Sequence, residues 1–382
     1  MTDIQASDMS NPGKRFLGQA NVQHGIRASM GVLLVNLGTP EQPTASSVRR
    51  YLAEFLSDSR VIEIPQFVWK LILHGIILRI RPAKSAKAYQ KVWSDKGSPL
   101  MAGTTELAEK ISTNLAEKLP GKCNVRMAMR YGSPSIEQGL TALSAEGAER
   151  IMVLPLYPQY SGATTGSVAD AVFKCLTKWR WVPELRLQGS YHDDPSYIKA
   201  LAQSIRTNWE VTGQKINESH KLFISFHGMP KSTLTAGDPY FCHCHKTARL
   251  LAEELNLKND QWEMAFQSRF GKAEWLQPYV AKRLIELPKE GIKNITVVCP
   301  GFSIDCLETL EEIAIEGRHD FLEAGGERFE YVPALNASNS HVALMVEKII
   351  NNAGGWPEIE KQQLNDNTLL MSQDLARAEG GQ

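Results

Sequence analysis

Residues 225–230 read SFHGMP and follow the apolar run KLFI, so a histidine closes what reads as a buried strand, with glycine and proline directly behind it. An imidazole costs free energy to bury unless it is hydrogen-bonded, and it titrates near neutral pH. His227 is therefore either a satisfied core histidine or a group for proton transfer or metal ligation. The second candidate is SIDCLETLEEIAIEG, residues 303–317. Glu308, Glu312 and Glu316 recur at i, i+4 and i+8, which on an α-helix stacks three carboxylates along one face. A solvated acidic face favoured by its helix N-terminus is one reading. The neighbours CPGF and CLETL are apolar, however, and an imidazole opposite a carboxylate row suits a first-row divalent cation held by nitrogen and oxygen.

Two further stretches carry chemistry-bearing residues. CHCH (242–245) has the residue types of a metal site but lacks the Cys-x-x-Cys pairs of zinc or iron–sulfur centres, so it reads as loop ahead of the helix KTARLLAEEL. FVWKLILHGIILRI (67–80) is the most apolar segment, and Arg79, Arg81, Lys84, Lys87 and Lys91 form a basic row beside it. With Lys70 and His74 inside it, the segment is too short and too charged for a membrane span. It suits a greasy lip facing a flat apolar ligand with carboxylates, or an anionic lipid surface, while a plain solvated helix face remains open.

These residues need elements to position them. VLLVNLG (32–38), VRMAMRYG (125–132), IMVLPLYP (151–158), KLFISFHG (221–228), WEMAFQSRFG (262–271) and ITVVCPGF (295–302) read as near-continuous apolar strands separated by helical patterns. That alternation predicts parallel sheets covered on both faces. The punctuation repeats: NLGTP with FHGMP, MRYGSP with QSRFGK, and the run after Ile151 with the run after Ile295. Such rhyming indicates an internal duplication, with the surplus of the first half falling around residues 50–100. The expected fold class is α/β, two similar doubly wound, Rossmann-like domains with a cleft between them and ligands bound beyond the carboxyl ends of the strands. The expected boundaries are a polar N-terminal tail (1–28), a first domain (29–195) with a hydrophobic lip at about 60–100, a second domain (196–340), a C-terminal helix (341–354) and a polar tail (355–382) too poor in apolar residues to fold.

Composition narrows the function. The 42 basic and 42 acidic residues balance, with no long cationic block, which leaves no electrostatic footprint for nucleic acid. The six cysteines are scattered, as in a reducing compartment, and the first residues lack the basic and apolar regions of a signal peptide. Both point to the cytoplasm. No G-x-G-x-x-G, P-loop or G-x-S-x-G string occurs, which argues against dinucleotide, nucleotide and serine-hydrolase chemistry.

LLVNLGTPEQPTASSVRRYLAEFLSDSRVIEIP, VLPLYPQYSGATTGSV, SFHGMP, FQSRFGKAEWLQPY and CPGFSIDCLETLEEIAIEGRHDFLEAGGERFEYVPALN together resemble the ferrochelatases of bacterial type, over about residues 31–352. The resemblance implies the chelatase fold and insertion of Fe²⁺ into protoporphyrin IX to give protohaem, the terminal step of haem biosynthesis. His227 matches the family's active-site histidine in S-x-H-G-x-P, and Glu308 the glutamate of its C/H-x-E-T-L segment. These two are implied as the iron-binding and proton-handling pair. Glu312 falls on a further carboxylate of the acidic path, and Arg130, Tyr131, Trp275 and Phe302 on residues lining the porphyrin cleft. The resemblance also implies a lip that admits porphyrin from the inner face of the membrane, and so peripheral membrane contact through residues 67–80. Cluster-bearing members use cysteines of a C-terminal extension, and no cysteine follows Cys306, so neither a [2Fe–2S] cluster nor any cofactor beyond the substrate iron is expected. A porphyrin carrier without chemistry, and a chelatase for coproporphyrin or another metal, are the competing readings.

Overall fold

The computed structural model describes residues 16–18, 28–214, 216–217, 219–271, 273–360 and 374–378. Strands β1 (Ser29–Gly38), β2 (Cys123–Tyr131), β3 (Ala148–Pro155) and β4 (Glu184–Leu187) form one sheet in the order β2-β1-β3-β4. Strands β5 (His220–His227), β6 (Trp262–Gln267), β7 (Asn294–Val298) and β8 (Arg328–Val332) form a second in the order β6-β5-β7-β8. Every pairing is parallel. The two sheets thus repeat one winding order, which accounts for the rhyming punctuation: NLG closes β1 as FHG spans the end of β5. The edge strands β4 and β8 were not among the expected runs. Both are short and mix charged with apolar residues, ELRL and RFEYV, because an edge strand is only partly covered.

The central strands are apolar on both faces because each sheet is sandwiched. Leu33, Val35, Ile151 and Val153 pack outward on the helices Ile136–Ala145 and Ser167–Leu176. Phe223, Ile295 and Val297 do the same on Val280–Glu286 and Arg318–Glu323. The inward faces merge into one shared core, in which Leu34, Leu154, Leu222, Ile224 and Val298 meet the helices Pro99–Lys118, Pro195–Thr212, Tyr240–Glu254 and Asn339–Asn352. The halves are welded by this core rather than joined by a linker.

Two expectations need correction. CHCH is not a loop: residues 242–245 belong to the first turns of the helix Tyr240–Glu254. The C-terminal tail does not begin as free chain at 355, since Trp356 is 2% exposed and donates through Nε1 to Glu184. Glu358 is buried as well and takes a forked pair of hydrogen bonds from Arg150. Residues 361–373 and 379–382 of that tail, and 1–15 and 19–27 of the N-terminal one, lie outside the described residues.

Candidate active site

His227 ends β5 opposite Gln267, the last residue of β6. Its Nδ1 donates to the Gly228 carbonyl at 2.6 Å, which directs the unprotonated lone pair to Nε2. The Tyr240 hydroxyl donates to the His227 carbonyl at 3.0 Å and holds the backbone. The Trp275 and Phe302 rings are tilted against it, each with its centroid 6.5 Å from the imidazole. Gly228 is needed because a Cβ there would come within 2.7 Å of the Gln267 carbonyl and 3.0 Å of the Trp275 ring.

The acidic segment does not form the expected α-helix. Residues Glu308–Gly317 are a π-helix, whose turns close at i+5. The regular i, i+4, i+8 stack is therefore broken. Glu312 turns towards Ser268, whose backbone N–H and Oγ both donate to its carboxylate, at 2.6 and 2.5 Å. Ser268 adopts a left-handed backbone, φ +64°, that aims both donors one way. Gln267, buried behind it, donates through Nε2 to the Glu308 carbonyl and the Glu312 carboxylate, and accepts from Ser225 Oγ. Burial raises the Glu312 carboxyl above the usual range, against the Ser268 hydrogen bonds and the nearby His227, which favour the ionised form; the Glu308 charge adds to the rise. Burial pushes the Tyr51 and Tyr89 phenols far up, and the Glu308 charge adds to the rise. Both tyrosines remain neutral donors at working pH. Glu316 instead neighbours Glu311, five residues back, and burial followed by that charge raises its carboxyl.

The structure thus brings His227, Glu308, Glu312, Trp275 and Phe302 together. Arg130 and Tyr131, expected to line the porphyrin cleft, sit beside Asp58. Tyr131 is 0% exposed, with its hydroxyl donating to Asp58 at 2.8 Å. The Arg130 guanidinium lies over that ring and is engaged by Asp58 and Ser167. The residues of CHCH point apart: Cys244 is buried, Cys242 exposed, His243 stacks on His192 at 3.6 Å, and His245 lies against Phe241. Among the described residues no three His, Cys, Asp or Glu side chains form a metal-holding group.

The lip is one helical run, Gln66–Val92, with a π-turn at Leu73–Ile77. Trp69, Leu73 and Leu78 face inward, while Phe67 and Leu71 are each 75% exposed and Ile76 and Ile80 also face out. The basic row is partly spent within the molecule: Arg81 stacks on Phe270, itself edge-on to Trp275, and Lys91 pairs with Glu311 at 2.6 Å. The lip helix therefore borders the site from Phe270 to Glu311. Sequence reasoning missed Gln267, Ser268, Glu311 and Asp58. Only Ser268 carried a signal, its place at the end of a strand in FQSRFG.

The family model for ferrochelatase matches residues 29–353. The chain belongs to the ferrochelatase family. A ferrochelatase of Thioalkalivibrio sulfidiphilus is 53% identical over 90% of this chain and 92% of its own length. One of Herminiimonas arsenicoxydans is 54% identical over 88% and 90%, and "Ferrochelatase 2" of Shewanella oneidensis 51% identical over 85% and 98%. SirB from Bacillus subtilis, solved with Fe³⁺, superimposes with a TM-score of 0.53 at 12% identity, over 87% of this chain and all of its own, and supports the fold. As a ferrochelatase the protein is an enzyme of haem biosynthesis, a lyase whose substrates are ferrous iron and a porphyrin, and the carrier reading falls away. Among the described residues no helix is long and apolar enough to cross a membrane.

Proposed function

We propose that the porphyrin is protoporphyrin IX and that His227, Glu308 and Glu312 perform the exchange of two protons for Fe²⁺. The observation that carries this reading is the geometry of His227: with Nδ1–H committed to Gly228, Nε2 is the basic atom, near the Trp275 and Phe302 rings and next to a paired carboxylate. A free porphyrin holds two pyrrole N–H protons in its plane, and both must leave before iron is seated. Nε2 accepts a pyrrole proton, and Nδ1–H keeps its bond to Gly228, so the imidazolium forms without moving. Glu312 stabilises that cation and passes its proton outward, which frees Nε2 to take the second. Before Nε2 takes its proton, His227 and Glu308 meet the incoming Fe²⁺, a nitrogen–oxygen pair suited to a first-row divalent ion.

Trp275 and Phe302 grip the macrocycle, and rigid walls that fit a bent ring better than a flat one lower the barrier to metallation. Arg130 and Tyr131 shape the floor near the lip from their places beside Asp58. The lip's exposed Phe67, Leu71, Ile76 and Ile80 favour the porphyrin with fewer carboxylates and supply peripheral contact with the inner face of a membrane, the enzyme itself being cytoplasmic. The polypeptide needs no [2Fe–2S] cluster for this chemistry. Comparison of kcat/KM for protoporphyrin IX and coproporphyrin III under anaerobic Fe²⁺ tests the substrate: a clear preference for protoporphyrin IX is expected, and a preference for coproporphyrin III would overturn the assignment.

A further inference from the structure

The lip has its own small core, Leu56, Ile62, Trp69, Leu73 and Leu78, separate from the cores that bind the sheets together. Such a unit can shift as a body unless something pins its base. The base is the stretch between the helix Ala45–Phe55 and residue 66, and there Asp58, whose side chain is 8% exposed, gathers donors from two other elements. Its Oδ2 accepts from Arg130 Nη2 at 2.6 Å, Tyr131 Oη at 2.8 Å and Ser167 Oγ at 2.5 Å. Its Oδ1 accepts from the Arg60 backbone N–H at 2.8 Å, which turns the chain locally. Arg130 and Tyr131 end β2, and Ser167 opens the helix Ser167–Leu176, so one carboxylate ties the lip's base to a strand and a helix of the first sheet. Charge-assisted bonds of this kind are the strong ones, and a buried carboxylate that loses its partners is costly. The flanking ties are weaker: Glu54 accepts from the Gly132 N–H, and the Arg60–Asp170 pair is about half exposed.

We infer that Asp58 is a positioning residue for the porphyrin, acting through Arg130, Tyr131 and Ser167 to fix how far the lip stands from the floor of the site. The inference rests on the reading that porphyrin enters beneath the lip. It also gives the Arg130 guanidinium a different job from direct capture of a substrate carboxylate, because its charge is already met by Asp58.

The test is steady-state kinetics of Asp58→Ala, Asp58→Asn and Ser167→Ala with Fe²⁺ and protoporphyrin IX, together with hydrogen exchange of the lip amides. Asp58→Ala should raise KM for porphyrin about tenfold, the scale of one lost charge-assisted bond, with KM for Fe²⁺ and kcat within about twofold. Asp58→Asn and Ser167→Ala should move KM the same way by less, and exchange in residues 62–78 should quicken while β1 and β3 stay protected. A fall in kcat with an unchanged porphyrin KM, or lip amides that exchange as in the wild type, would overturn it. Should Asp58→Ala not fold, the other two variants still decide. Failure of the wild type to metallate protoporphyrin IX would count against the substrate reading, and the exchange rates would then judge the tether by themselves.

Discussion

At the scale of single residues the site depends on which atoms are already spoken for. His227 can act as a base because Gly228 holds its other nitrogen, and Gly228 can do so only without a side chain. Gly228→Ala should therefore cost most of the activity, since its Cβ would push against the Gln267 carbonyl or the Trp275 ring; near wild-type kcat in a folded Gly228→Ala enzyme would contradict this. On the proposed roles, Glu312 would carry the pH dependence. Its raised carboxyl must be ionised to take protons, so activity should climb through an acid limb lying above the range of an ordinary glutamate. Ser268→Gly keeps the left-handed backbone but deletes the Oγ bond that favours the ionised form. The limb of its pH–kcat profile should move to higher pH, and an unmoved limb would argue that Glu312 does not relay the proton. His227, Glu308 and Glu312 were legible in the sequence because an imidazole at a strand end and carboxylates in an apolar setting are unusual. Ser268 showed only its place at a strand end, because neither its left-handed backbone nor its bond to Glu312 can be read from the sequence.

At the scale of elements, the spacing of the acidic residues suggested an α-helix, and the chain forms a π-helix instead. The difference redistributes the charges: Glu311 and Glu316 become neighbours on the side of the lip, and Lys91 crosses to meet Glu311, which is 7% exposed. Only the tertiary partner identifies Lys91 as part of this arrangement rather than as one more cation of a basic row. Lys91→Met should lower the Tm, because the nearly buried Glu311 carboxylate would lose its partner. The double variant with Glu311→Gln should recover part of that loss, and a Tm left unchanged by Lys91→Met would refute the pairing as a stabilising contact.

For the whole molecule, the parallel alternation of apolar strands and helices, and the rhyme between halves, were enough to give two similarly wound sheets, because buried central strands cannot avoid showing their apolar runs. The short edge strands and the packing of residues 356–359 were obscured by their mixed composition. Trp356 closes the edge of the first sheet beside Glu184 and Arg186. Trp356→Ala should destabilise the fold by roughly 3–5 kcal/mol, as for other large-to-small changes at buried aromatics, which denaturant titration would measure. A loss below ~1 kcal/mol would mean that this segment rests on the sheet without contributing to it.

The central claim is that His227, on the end of β5, takes the pyrrole protons as iron enters. Purified wild type and His227→Ala, incubated anaerobically with Fe²⁺ and protoporphyrin IX and followed by absorbance, test it most directly. The wild type should consume porphyrin and produce haem, while the variant, folded and still able to bind porphyrin, should produce none. Haem formation by His227→Ala at the wild-type rate would contradict the account.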